Sequence, residues 1–151
     1  MCGNPVPDAN HDAAWEEPGS ATATIFSFLV AFAQEYPTSD RQDDAIGCVG
    51  LRRRDDVSGF GDGARVGELK RMYVLPRYRG RGLSHALAEA VETYAKNVLG
   101  FDVLVLETGC RQIGALKLSE RRGWTKWDYY GEYIGAGVDD GGVSMCYQKR
   151  L

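Results

Sequence analysis

An apolar run, Glu68-Leu69-Lys70-Arg71-Met72-Tyr73-Val74-Leu75, leads without a break into Pro76 and Arg77-Tyr78-Arg79-Gly80-Arg81-Gly82. An amphipathic stretch over residues 83–98 follows at once. Strand, glycine-bearing turn and helix start thus form one continuous piece, and this calls for a sheet with a helix packed on it. Pro76 ends the strand, because proline cannot donate to a sheet ladder. The first turn of a helix has backbone N–H groups without helical acceptors and the positive end of the macrodipole. It can therefore hold a phosphate or pyrophosphate. Gly80 and Gly82 let the backbone approach such a group without Cβ interference, and Arg77, Arg79 and Arg81 add charge for it. A dinucleotide fingerprint would need a third glycine where His85 stands, and a P-loop would need Gly-Lys-Ser/Thr, which does not follow.

The flanking segments give the rest of the order. Residues 24–35 fit both alternation (Phe26, Phe28, Val30, Phe32) and helical spacing, and their Phe, Val and Ile content favours a strand. Residues 36–44 form a polar turn, and residues 45–53 a second strand in a hairpin with the first. Residues 55–63, with three charges and three glycines, read as an exposed loop. The helix at 83–98 puts Leu83, Ala86, Leu87, Ala90, Val91, Tyr94 and Val98 on one stripe, with Gly100 as its cap. Residues 101–107 carry four consecutive apolar side chains and read as a strand buried on both faces. A second helix spans 112–122 and stops at Gly123; strands at 124–130 and 143–149 close the order, separated by a mobile Gly-Asp loop at 135–142. The result is β-β-β-α-β-α-β-β: a mixed sheet with helices on its faces and a right-handed crossover over 68–107. Residues 1–21 lack any apolar period and read as a loose tail; residues 22–151 form a single domain.

Bulk properties narrow the function. At 151 residues the chain can bury roughly two-thirds of its unfolded surface. Its net charge of −3 argues against a nucleic-acid binder. No apolar run approaches the roughly 20 residues of a membrane span, and the N-terminus lacks signal-peptide character. Four scattered cysteines without a Cys-x-x-Cys pair fit reduced thiols in the cytoplasm. His11 and His85 lie near none of them in sequence, so no metal site is expected.

The run ELKRMYVLPRYRGRGLS, residues 68–84, resembles motif A of the GNAT family of N-acetyltransferases: Arg or Gln, two residues, Gly, one residue, Gly or Ala. Arg77, Gly80 and Gly82 fill that pattern. The stretch LETGCRQIGALKLSERRGW resembles the family's motif B, ending in Gly123-Trp124, and the C-terminal segment is similar to the tail of small bacterial members. The resemblance covers about residues 45–151. It implies an α/β (α+β) fold: a mixed, mostly antiparallel sheet with a central β-α-β crossover and the N-terminal strand and helices shortened or missing. It also implies acetyl-CoA as cosubstrate. The pyrophosphate would lie on the amides of Tyr78, Arg79, Gly80, Arg81, Gly82, Leu83 and Ser84, with Arg77 opening the turn. The pantetheine arm would pair along Met72, Tyr73 and Val74 like an added strand. The thioester would enter the splay beside the strand ending at Glu107, and a neutral amine of a small molecule or peptide would attack directly.

The resemblance also names candidates for catalysis. Many members use a carboxylate on the third strand as base; Glu68 fills that place, with a solvated strand end as the alternative. Glu107 ends the central strand, where active-site groups gather, or it caps a loop or pairs with an arginine. Ser119 stands where many members have the tyrosine that protonates the departing thiolate. A serine hydroxyl is shorter and less acidic, so the proton could instead come from water or from Tyr129, Tyr130 or Tyr133, and Ser119 reads equally well as a helix-surface residue. Arg52-Arg53-Arg54-Asp55-Asp56 reads as a solvated charge run. Trp124, Trp127, Tyr129, Tyr130 and Tyr133 read as core or interface rather than pocket lining. Cys110 lies near the cofactor channel with nothing marking it as a nucleophile. Residues 1–23 are too short and polar to supply a usual acceptor wall, so that wall is incomplete, borrowed from a homodimer partner, or open to a larger substrate. The rival functions are a non-catalytic acyl-CoA-binding module and an interaction domain whose exposed strand edge serves a homodimer.

Overall fold

A computed structural model describes residues 25–33, 45–134 and 144–151. The expected tail and the 135–142 loop lie outside these residues. Among the described residues, six strands form one sheet in the order β1-β2-β3-β4-β6-β5: β1 (Ile25–Phe32), β2 (Ala45–Arg53), β3 (Val66–Val74), β4 (Val103–Gly109), β5 (Thr125–Trp127) and β6 (Ser144–Arg150). Helix α1 (Leu83–Asn97) links the sole parallel pair among the described residues, β3 and β4, and α2 (Ile113–Arg121) follows β4. Every other pairing is antiparallel. The element order and mixed sheet agree with expectation, and the ambiguous segment beginning near residue 24 is a strand.

Alternation along β4 divides the interior. Leu104 joins a cluster with Val49, Leu51, Leu69, Leu87, Val91 and Ala95, against which Leu116 of α2 packs. Val103 and Val105 point the other way, into a cluster with Val57, Phe60, Val66 and Tyr130. The loop expected to be merely exposed is thus pinned by Val57 and Phe60, both buried.

The apolar stripe of α1 needs correction. The buried side chains are Leu87, Ala88, Val91, Glu92 and Ala95, whereas Ala86, Ala90 and Val98 are exposed. The helix is rotated because a charged residue, Glu92, belongs to the buried face. It accepts from Arg122, Trp124 and Lys149.

Candidate acyl-CoA cleft

Parallel pairing of β3 with β4 runs from Val66↔Val103 to Leu69↔Leu106 and then stops. Beyond that point β3 stays with β2 and β4 stays with β6, so the two central strands part. A bulge helps them do so: between Cys48 and Gly50 of β2 the register slips, and Arg71 on β3 takes φ 56°. Extra residues of this kind bend a strand and locally break its ladder. The gap opens into a cleft of about 1090 Å³ lined by β3, the turn after it, the start of α1, the end of β4, and α2.

At one end lies the glycine turn. Gly80 and Gly82 have φ 75° and 81°, a region that strains L side chains. Gly82 is the N-cap of α1, and no side chain caps the helix. The first intrahelical bond runs from the Ala86 N–H to the Gly82 carbonyl at 3.1 Å, so the preceding amides have no helical acceptor. A Cβ at Gly80 or Gly82 would meet no atom within 4 Å. Bare amides at the mouth of a 15-residue helix, facing open space, fit a diphosphate. The cleft is lined by Met72, Tyr73, Val74, Tyr78, Arg79, Gly80, Leu83 and Ser84; Arg77, Arg81 and Gly82 stand outside its wall. The Arg77 and Arg81 guanidiniums lie 5.1 and 5.4 Å from the centre of the Tyr78 ring, and Arg79 Nε donates to the Val74 carbonyl at 3.0 Å. These arginines therefore brace the turn.

Glu68 is fully buried and does not line the cleft. The solvated-carboxylate alternative is thereby corrected. Its oxygens accept from Arg52 Nε, from Arg54 Nη1 at 2.7 Å, from the Tyr130 hydroxyl at 3.0 Å and from the Tyr133 hydroxyl at 3.2 Å. Lys70 Nζ lies 3.5 Å away and also contacts the Tyr133 hydroxyl. The charge run is corrected with it. Arg54 is buried and also grips Asp56 and Glu132, and Arg52 pairs with both Glu68 and Glu132. Burial would lower the Arg54 guanidinium, but hydrogen bonds to Asp56 and Glu68 outweigh it and hold the pKa above its ordinary value. Burial and then the Glu68 charge push the Tyr130 hydroxyl far up, so it remains a donor. Gly131 sits so close that a Cβ there would collide with the Arg54 guanidinium.

Glu107 and Ser119 do line the cleft. Glu107 is half-buried and accepts from the Ser144 hydroxyl. Burial, and then the Glu107 charge, raise the Cys146 thiol behind it to about 11. Ser119 is buried, which corrects its surface reading, and its hydroxyl donates to the Ala115 carbonyl at 3.0 Å. A donor committed one helical turn back has no proton aimed at the cleft. Trp124 lines the cleft; Trp127 stacks on Phe60 instead, with ring centres 4.8 Å apart, and Tyr129 donates to the Ser144 carbonyl. Cys110 is not in the lining. Sequence reasoning missed the networks at Glu68 and Glu92. Arg52 faces Glu68 in hairpin register, so the spacing of Arg52 and Arg54 on one strand face was a usable signal.

The sequence matches the Acetyltransferase (GNAT) family over residues 7–124. The chain belongs to the GNAT family. It is 32% identical over 111 residues to an IAA acetyltransferase of Azospirillum brasilense, covering 74% of this chain and 64% of that one. A Klebsiella pneumoniae structure described as an acyl-CoA N-acyltransferase is 30% identical at TM-score 0.57, over 72% of this chain and 65% of that one. An acetyl-CoA-bound GNAT-family acetyltransferase of Elizabethkingia anophelis shares the fold at TM-score 0.55 and 21% identity, over 74% of this chain and 72% of that one. The chain spans just under two thirds of the Azospirillum and Klebsiella proteins. No helix among the described residues is long and apolar enough to cross a membrane, and no three His, Cys, Asp or Glu side chains there are grouped to hold a metal ion.

Proposed function

We propose that this GNAT-family protein transfers acetyl from acetyl-CoA to a primary amine of a small molecule or peptide by direct attack. The observation that carries the reading is the cleft itself: the parting of β3 and β4 at Leu69 and Leu106 opens toward the bare amides of Leu83 and Ser84 at the start of α1. Acetyl-CoA supplies the activated acyl carbon. As the N–C bond forms and the C–S bond breaks, the amine gives up one proton and the thiolate takes one. The free edge of β3 at Met72, Tyr73 and Val74 positions the pantetheine arm, and this alignment supplies most of the rate. Glu107 is the cleft-facing carboxylate that draws the amine proton, directly or through water. Glu68 is fully engaged behind the wall and positions Arg52 and Lys70 rather than meeting substrate. Water in the open cleft returns a proton to the thiolate, because Ser119 is committed to Ala115.

The same commitment favours one rival, an acyl-CoA-binding module without acceptor chemistry. Two measurements separate them. Acetyl-CoA should raise the melting temperature under either reading, and an unmoved melt defeats both. Thiol release above the no-amine rate across an amine panel should appear only for the enzyme. This reading places the protein in the cytoplasm, and a homodimer would form through β1, the edge strand that exposes Phe28, Val30 and Phe32.

A further inference from the structure

Among the described residues, five cations line the cleft: Arg52, Lys70, Arg71, Arg79 and Arg122. Four are committed elsewhere. Arg52 pairs with Glu68 and Glu132, and Lys70 with Tyr133 and Glu68. Arg79 donates to the Val74 carbonyl and lies over the Tyr73 ring, while Arg122 forks onto Glu92. Arg71 is the exception: its guanidinium has no hydrogen-bond or ion-pair partner among the described residues. It is also the non-glycine residue there with positive φ, at 56°. An arginine in that region costs roughly 1–2 kcal/mol, and bulges beside sites serve to re-aim a side chain.

Position gives the stray charge a meaning. Arg71 lies two residues past Leu69, the last residue of β3 to pair with β4. Glu107 is the first residue of β4 past Leu106, the partner of Leu69. The vertex of the splay thus has on one wall a cation without a partner among the described residues, and a carboxylate on the other, both lining the cleft. Resting on the acetyl-transfer reading, we infer that the acceptor carries a carboxylate beside its amine, as an α-amino acid does, with Arg71 holding the carboxylate and Glu107 receiving the amine. Guanidinium–carboxylate pairing is bidentate and strong, whereas a polyamine would bring a second cation against Arg71 and be repelled.

The test compares kcat/KM for a set of amino acids against the corresponding amino acid amides, which keep the amine and lose the carboxylate. The native protein should prefer the acids by roughly tenfold or more. Arg71→Asn, a residue that tolerates the left-handed region, should erase the preference, and Arg71→Lys should restore part of it. KM for acetyl-CoA should stay within about twofold in both. No preference in the native protein overturns the inference. So does a raised acetyl-CoA KM in Arg71→Asn with acceptor preference intact, since the cation would then serve the coenzyme. If acetyl-CoA shifts the melt but nothing turns over, calorimetry of N-acetyl amino acids against their amides on coenzyme-A-loaded protein makes the same comparison. If acetyl-CoA shifts nothing, the acetyl-transfer reading has failed and this inference falls with it.

Discussion

Trp124 donates through Nε1 to Glu92 Oε1 at 3.0 Å, which ties the wall of the cleft to the buried side of α1. Arg122 forks onto the same carboxylate at 3.1 and 2.7 Å, and Lys149 reaches it at 2.8 Å. Removing the carboxylate strands two partly buried cations and an indole donor. Glu92→Ala should lower the unfolding free energy by roughly 3 kcal/mol in urea titration. A loss below about 1 kcal/mol would show that solvent screens the cluster.

Acid should unfold the protein through its ion-paired carboxyls. Burial would raise Glu132, but its own backbone N–H and the Arg52 and Arg54 guanidiniums hold it down to about 2. Asp56 is lowered by its hydrogen bond to Arg54, and Glu92 by Arg122, Lys149 and Trp124 against the pull of burial. Each such group binds its proton more readily when unfolded. Its stabilising contribution is therefore complete above the ordinary value and is lost as pH falls through the folded one. The urea midpoint should hold down to about pH 5 and then fall toward about pH 2. Glu132→Gln should flatten part of that fall; an identical acid limb would remove Glu132 from the account.

The two glutamates should respond differently. Glu107→Gln, in the cleft, should cut kcat/KM roughly 100-fold with melting nearly unchanged. Glu68→Gln, behind the wall, should lower stability by about 3 kcal/mol as Arg52 and Arg54 lose their shared anion. Paired melting curves and kinetics separate these patterns, and the reverse assignment would make Glu68 the base.

Acetyl-CoA at about 100 times its Kd should stabilise the native protein by about 2.7 kcal/mol. Gly82→Val should abolish this gain, because its φ of 81° disfavours any side chain and a branched one would cover the amides beneath. A variant that still melts cooperatively yet keeps the full ligand shift would move the diphosphate to another place.

Ser119→Ala should leave turnover within about threefold, since the hydroxyl donates to Ala115 and not into the cleft. A loss of 100-fold or more in kcat, with KM unaltered, would make the hydroxyl the proton donor after all.

The frame of the fold was readable because local signals agreed. Pro76, Gly80, Gly82 and the four apolar residues of β4 each fix their own neighbourhood, and the strand-turn-helix unit follows from them. The polar interior was not readable in the same way. Glu92 and Arg54 look like surface residues in a one-dimensional pattern, and only the meeting of α1 with Lys149, or of β2 with Glu68 and Glu132, makes them core. Ser119 failed for a related reason: spacing placed it on a helix, but only the packing of that helix makes it buried. Arg71 gave no signal at all, because a left-handed arginine depends on the register slip between β2 and β3.

The seat of β6 between β4 and β5 has a consequence for biosynthesis. As the chain leaves the ribosome, β1, β2 and β3 can zip together by short-range contacts, whereas one side of β4 must wait for residues 144–150 to emerge. Until then the Val103-Leu104-Val105-Leu106 run borders an unsatisfied ladder, so nascent chains should be most prone to clump just before residues 144–150 emerge.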